Sequence, residues 1–175
     1  MTETTITTAR LLLRPGRATD LDDLFAIFSD PRAMRYWDHP AYDDKSVTQE
    51  FLDKFMFGDR DTREEYILEY YGRCIGKAGI WAKPEIGYIL HPDFWGKGLA
   101  REALAAIIPR AFAKWPDMME LTAELDPRNT ASIRLLEHFG FYRTRLELEN
   151  FQYSEDEWTD TAYYVLPRPP LPIKS

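Results

Sequence analysis

The sequence predicts an α/β (α+β) fold with about seven strands, on three observations. Strand-like and helical runs follow one another in the order strand, two helices, three strands, helix, strand, helix, two strands. The three central runs, 65–71, 73–81 and 85–91, are separated only by turn residues at Gly72 and at Lys83-Pro84, close enough for antiparallel hairpins. The third observation is a glycine-containing turn, Trp95-Gly96-Lys97-Gly98-Leu99-Ala100-Arg101, which joins the last of these strands to a long helical pattern over 102–114.

Each element follows from its local pattern. In 6–14, Leu11 and Leu13 alternate against Leu12 and Arg14, which reads as a first strand. Thr19 or Asp20 caps a helix running to Ser29, whose Leu21, Leu24, Phe25 and Phe28 keep the 3.6-residue period, and Asp30-Pro31 closes it. A second helix covers 46–57 and gathers Val47, Phe51, Leu52, Phe55 and Met56 on one side before the polar break at 58–61. After the hairpin strands and the glycine turn come the helix to Lys114, a strand over 119–125, a helix over 129–138, and strands over 141–150 and 159–166. With no internal repeat and no interdomain linker, 1–167 is expected to be a single domain. Residues 168–175 form a proline-rich tail, whose P-x-x-P string reads as plain extended chain.

Composition narrows the function classes. A chain of 175 residues with 45% hydrophobic and 29% charged residues suits one soluble domain with a sizeable core. The formal net charge of −7 repels nucleic-acid phosphates and weakly favours a cationic partner. The lone Cys74 permits no internal disulfide and reads as a small strand residue. His39, His91 and His138 lack metal-ligand spacing, so no metal is expected. The first ten residues hold no apolar core of signal-peptide length and no stretch approaches a membrane span, so a cytoplasmic location is the default.

The glycine turn carries the chemistry. Small residues between a strand and a helix let the backbone approach a ligand, while free N–H groups and the helix dipole favour negative charge beside them. This is a phosphate-binding arrangement. A dinucleotide fingerprint fails here, because Arg101 stands where a third glycine is required. A nucleotide P-loop fails as well, because Gly98 follows Gly96-Lys97 and no glycine precedes it at the right distance. A third pattern, x-x-x-G-x-[GA], fits from Trp95 to Ala100.

That pattern resembles the pyrophosphate loop of the GCN5-related N-acetyltransferases (GNAT), which bind acetyl-coenzyme A. A second stretch, Leu121-Thr122-Ala123-Glu124-Leu125 followed by Asn129, Ser132 and His138-Phe139-Gly140-Phe141, resembles the same family's second cofactor motif. The tryptophan at position 95 is similar to the branch that acetylates ribosomal-protein N-termini (RimJ/RimL-like). The resemblance is dense over 85–141, weaker over 8–30 and 157–167, and finds no specific counterpart over 32–64.

The resemblance implies a mixed, strongly twisted sheet with helices on both faces. It also implies direct acetyl transfer from acetyl-coenzyme A to a primary amine, either a protein N-terminus or a small molecule, by a monomer or homodimer. Backbone N–H groups of Gly96, Lys97, Gly98, Leu99, Ala100 and Arg101 would cradle the pyrophosphate, with Trp95 at the loop's entry. Lys97 and Arg101 can add charge or can equally be solvated surface cations. Backbone groups of Ile89, Leu90 and His91 would meet the pantetheine arm, one N–H lying near the thioester oxygen. Asn129 would bond the pantetheine, and it is also a good N-cap.

Glu85, which opens the strand before the loop, matches a position used as general base in several relatives; its bland alternative is a surface glutamate. The tyrosine that many relatives use as general acid is Leu136 here. Ser132 is therefore the expected substitute, or else a cofactor ligand, with Tyr142 as runner-up. Tyr36, Trp37, Asp38 and His39 form an aromatic and acidic cluster suited to a cationic amine, although core packing explains Tyr36 and Trp37 equally well. Two competing readings remain: an acyl-coenzyme A-binding sensor or complex subunit without turnover, and an adaptor presenting its proline-rich tail.

Overall fold

The computed structural model describes residues 5–170. In chain order the elements are β1 (Ile6–Thr7), β2 (Leu12–Arg14), a 3-10 turn (Ala18–Asp20), α1 (Leu21–Phe28), α2 (Pro31–Met34) and α3 (Lys45–Phe57). Then follow β3 (Glu64–Tyr70), β4 (Arg73–Ala82), β5 (Glu85–Leu90), a 3-10 turn (Pro92–Phe94) and α4 (Leu99–Lys114). The chain finishes with β6 (Glu120–Leu125), α5 (Thr130–His138), β7 (Tyr142–Ser154) and β8 (Glu157–Pro167). The eight strands form one sheet in the order β1-β2-β3-β4-β5-β6-β8-β7. All described pairings are antiparallel except β5 with β6. Of the expected tail, 171–175 lie outside the described residues.

Two apolar clusters explain why helices cover both faces. Leu99, Ala103, Leu104, Ile107, Ile108, Ala111 and Phe112 of α4, with Leu136 of α5, pack on Ile86 and Leu90 of β5 and on Ile75, Ala78 and Ile80 of β4. On the other face, Leu24, Ile27 and Phe28 of α1, Met34 of α2, and Leu52 and Phe55 of α3 pack on Ile67, Cys74 and Ile89. Strand alternation thus divides β5 between two cores, which suits a run buried on both faces.

The structure departs from the sequence expectation at three places near the chain start. The expected first strand, 6–14, is two short antiparallel strands, which raises the strand number from seven to eight. The Thr8 N–H and hydroxyl both reach the Leu11 carbonyl, at 2.9 and 3.2 Å, and close a turn between them. Asp20 does not cap α1 with its side chain. Its carboxylate is buried against the Arg14 guanidinium at 2.7 and 2.9 Å. Pro31 does not merely end α1; it opens α2, with the Asp30 carboxylate accepting from the Arg32 N–H at 2.8 Å.

Candidate active site

The parallel partners β5 and β6 meet at a single point, Glu85 opposite Thr122, where the Thr122 N–H donates to the Pro84 carbonyl at 3.1 Å. Beyond that point they diverge, and the sheet opens into a cleft. A cavity of about 540 Å³ occupies it. Its wall takes Trp37 and Phe51 from the α1–α3 side, Asn129, Ser132 and Leu136 from the α5 side, and Glu85, Gly87 and Tyr88 from β5. The cavity therefore passes between the two faces of the sheet.

Main-chain groups on the open side of β5 follow from the pleat. The His91 N–H donates to the Ile75 carbonyl on β4 at 2.9 Å. Alternation then turns the groups of Ile89 toward β4 as well, and those of Tyr88 and Leu90 toward the cleft. Consistent with this, the Leu90 carbonyl accepts the Trp95 indole N–H at 3.0 Å. Among the three residues expected along the pantetheine, Leu90 faces the opening, while Ile89 and His91 use main-chain groups on the sheet. Tyr88 joins Leu90, and only the strand register reveals it.

The loop after β5 is shaped by two glycines in the left-handed region, Gly96 at φ 70° and Gly98 at φ 73°. No atom lies within 4 Å of a Cβ built on Gly96, and only the Arg10 guanidinium at 3.6 Å approaches one on Gly98. The first α4 N–H bonded within the helix is that of Glu102, to the Gly98 carbonyl at 3.0 Å. The N–H groups of Leu99, Ala100 and Arg101 precede it, with no backbone acceptor among the described residues. Leu99 anchors its side chain in the core, so only its backbone can serve a ligand. An open cradle of positive-φ glycines and unpaired N–H groups fits a diphosphate.

Cations ring this cradle. The Lys97 ammonium donates to the Asp93 carbonyl at 2.9 Å and sits 5.1 Å from the Phe94 ring centroid, while Arg101 is exposed. Arg10, which sequence reasoning missed, donates to the Lys97 carbonyl at 2.9 Å and to Glu102 at 2.7 Å. It is brought 87 positions along the chain to the loop, and no local pattern signals that meeting.

Glu85 lies on the cavity wall beside Trp81. Burial pushes its carboxyl above the ordinary value; the nearby charge of Glu124 acts in the same direction, and the Trp81 side chain opposes them. On the opposite wall, the Asn129 side-chain oxygen accepts from the Ser132 N–H at 3.1 Å and caps α5. The Tyr88 hydroxyl donates to the Ser132 carbonyl at 3.4 Å, and burial pushes that phenol up to about 12. It therefore stays protonated at neutral pH beside Ser132. Tyr142 is 53% exposed on the edge strand and does not line the cavity.

Tyr36, Trp37, Asp38 and His39 all line the cavity, joined by Thr159 and Asp160 of β8. Glu157 accepts from both Arg35 and Arg128 at 3.0 Å, and the Tyr153 hydroxyl donates to the Met34 carbonyl at 2.7 Å. The bonds to Arg35 and Met34 tie the β7–β8 hairpin to the end of α2, and the bond to Arg128 ties it to the turn before α5. Sequence reasoning saw no role for Lys77, Arg63 or Trp81, which also form part of the wall.

A sheet parted beside a main-chain anion cradle, with a carboxylate and hydroxyls at the parting, defines an acyl-coenzyme A-dependent transferase. The model of the acetyltransferase (GNAT) domain matches residues 10–142, and the chain belongs to this family of N-acetyltransferases. It is 28% identical over 173 residues to the uncharacterized N-acetyltransferase p20 of Bacillus licheniformis, covering 93% of this chain and 95% of that one. Its fold superposes with a TM-score of 0.80 on RimL, the ribosomal L7/L12 alpha-N-protein acetyltransferase, in a complex with coenzyme A. That pair is 18% identical, with 94% of this chain and 98% of RimL covered. A spermidine N-acetyltransferase from Vibrio cholerae, solved with CoA and spermine, superposes with a TM-score of 0.75 at 18% identity, covering 91% of this chain and 96% of the other. No described helix is long and apolar enough to cross a membrane.

Proposed function

We propose that this chain moves the acetyl group of acetyl-coenzyme A onto a primary amine held in the β5–β6 cavity, the amine belonging to a small molecule or a protein N-terminus. The observation that carries this reading is the cavity itself. It brings Glu85 from one side of the sheet into the same space as Asn129 and Ser132 from the other. When bound, acetyl-coenzyme A supplies an activated thioester.

The chain's own groups supply the rest. N–H groups from Gly96 to Arg101 would hold the diphosphate, and the Tyr88 and Leu90 main chain would align the pantetheine arm. Glu85 takes a proton from the acceptor ammonium. Its raised carboxyl value brings it closer to the working pH, and the aromatic wall favours the cation before that transfer. Ser132, with the protonated Tyr88 phenol beside it, supplies a proton at the leaving side.

Thiol release from acetyl-coenzyme A with a panel of primary amines tests the reading, after titration establishes cofactor binding. Amine-dependent release is the expected result. Binding without release across a broad panel would replace the enzyme by an acyl-coenzyme A sensor.

A further inference from the structure

Lys77 is the least expected residue on the cavity wall. It lies on β4 among the buried residues Cys74, Ile75, Ala78 and Ile80, and is itself only 4% exposed. Its ammonium donates to Glu65 Oε1 at 2.6 Å, while Arg63 donates to Glu65 Oε2 at 2.7 Å. Two cations therefore share one carboxylate, which leaves a surplus positive charge. The ammonium also sits 5.5 Å from the Trp37 ring centroid and 5.3 Å from that of Phe51, and all four of Lys77, Arg63, Trp37 and Phe51 border the cavity. A buried ion pair is weak evidence for stability, because apolar residues of similar volume often replace it at no loss. Such a lysine has one donor engaged on Glu65 and the remaining two beside an open cavity.

The acidic residues of the wall are Asp38, Glu85, Glu124, Asp126 and Asp160, and of these Glu124 lies near enough to Glu85 to raise its carboxyl, while Asp126 is paired with Arg128. Lys77 pairs with Ile89, four residues along β5 from Glu85, or about 13 Å of strand before the lysine stem reaches back. Between them Gly87 leaves the floor bare, and a Cβ there would press to 3.3 Å on Trp81. The space thus sets the Lys77 and Arg63 cations apart from the Glu85 and Glu124 carboxylates, with bare floor between them.

We propose that the acceptor is zwitterionic: an amine that also carries a carboxylate, with the carboxylate docked on Lys77 and the amine directed toward Glu85. This rests on the cavity being the acceptor site of an acetyltransferase. A carboxylate there accepts from the two remaining lysine donors and neutralises the surplus charge. A polyamine of the same length would set a second cation against Lys77 and Arg63, so polycationic acceptors are disfavoured.

Matched pairs of acceptors test this in the full-length protein: phenylalanine with phenethylamine, tryptophan with tryptamine, and lysine with cadaverine. The expected kcat/KM favours the carboxylate member of each accepted pair by about 10-fold or more. Lys77→Met should collapse that ratio toward unity by raising KM for the carboxylate member, and Lys77→Arg should retain part of it. A wild-type preference for the decarboxylated amines, or an unchanged ratio in Lys77→Met, overturns the proposal while acetyl transfer itself stands. Should Lys77→Met not fold, the wild-type ratio decides, together with competition by phenylacetate, which must inhibit. Should no pair turn over, titration of the coenzyme A-loaded protein decides, and equal binding of both members overturns the proposal. Loss of coenzyme A binding altogether would instead overturn the enzyme reading.

Discussion

Glu85 shows how a residue's surroundings set its proton affinity. Its carboxyl is raised chiefly by burial, so the ionised form is disfavoured in the folded chain relative to the unfolded one. The proton balance gives the sign: between the unfolded and folded values the native state holds more protons, so this group's contribution to stability falls as pH rises. Glu85→Gln is accordingly expected to keep or raise the melting temperature at neutral pH, read by calorimetry. The same variant should lower kcat by about 100-fold or more, with acetyl-coenzyme A affinity nearly unchanged. It should also remove the acid limb of the pH–rate profile. Full turnover across the pH range would take Glu85 out of the base role. Ser132→Ala, measured alongside Tyr88→Phe, separates the two hydroxyls proposed to supply the leaving-side proton. The larger drop in kcat is expected for Ser132→Ala, and equal wild-type rates in both would assign the proton to water.

At the scale of elements, the loop between β5 and α4 is legible in advance because its requirement is local. Gly96 and Gly98 adopt φ values of 70° and 73°, which side chains resist, and the helix that follows begins with unpaired N–H groups. In Gly98→Val the left-handed conformation costs roughly 1–2 kcal/mol. The strain either shifts the cradle or is carried into the bound state. Calorimetric titration should show markedly weaker acetyl-coenzyme A binding by a folded Gly98→Val protein, and normal affinity would mean that the diphosphate lies elsewhere. The split of the first strand was not legible, because the Thr8–Leu11 turn is closed by a threonine side chain rather than by glycine or proline. Asp20 had the right chemistry for a cap, but Arg14, six positions away, holds its carboxylate. The helix boundaries of α3 and α5 came through within a residue, because Asp44 and Asn129 cap them through contacts two and three positions away.

Across the whole molecule, the wall of the cavity around Lys77 is braced by a cluster of charges centred on the buried Glu65. Burial alone would push Glu65 up, but the Lys77 charge and the hydrogen bonds from Lys77 and Arg63 overrule it and hold the carboxyl below its ordinary value. A lowered native value means that this stabilisation is present above the unfolded glutamate range of about 4.3 and is lost as pH falls through the native one. Acid titration followed by near-UV circular dichroism should show the aromatic wall around Trp37 and Phe51 loosening below about pH 4. In Lys77→Met, part of this pH dependence should be missing, and identical acid curves would deny the linkage.

Sequence alone determined the order of helices and strands from α3 onward, the glycine turn at the mouth of α4, the capping asparagine and the membership of a family, because each of these rests on residues within a few positions of one another. Only the tertiary structure decided which main-chain groups of β5 face the opening, that Arg10 clamps the loop, and that Lys77 and Arg63, both on the cavity wall, meet on Glu65. Those depend on strand register, and on a sheet that parts beyond a single β5–β6 contact. Pleat phase and divergence are set by packing between distant segments, which no local run of residues encodes.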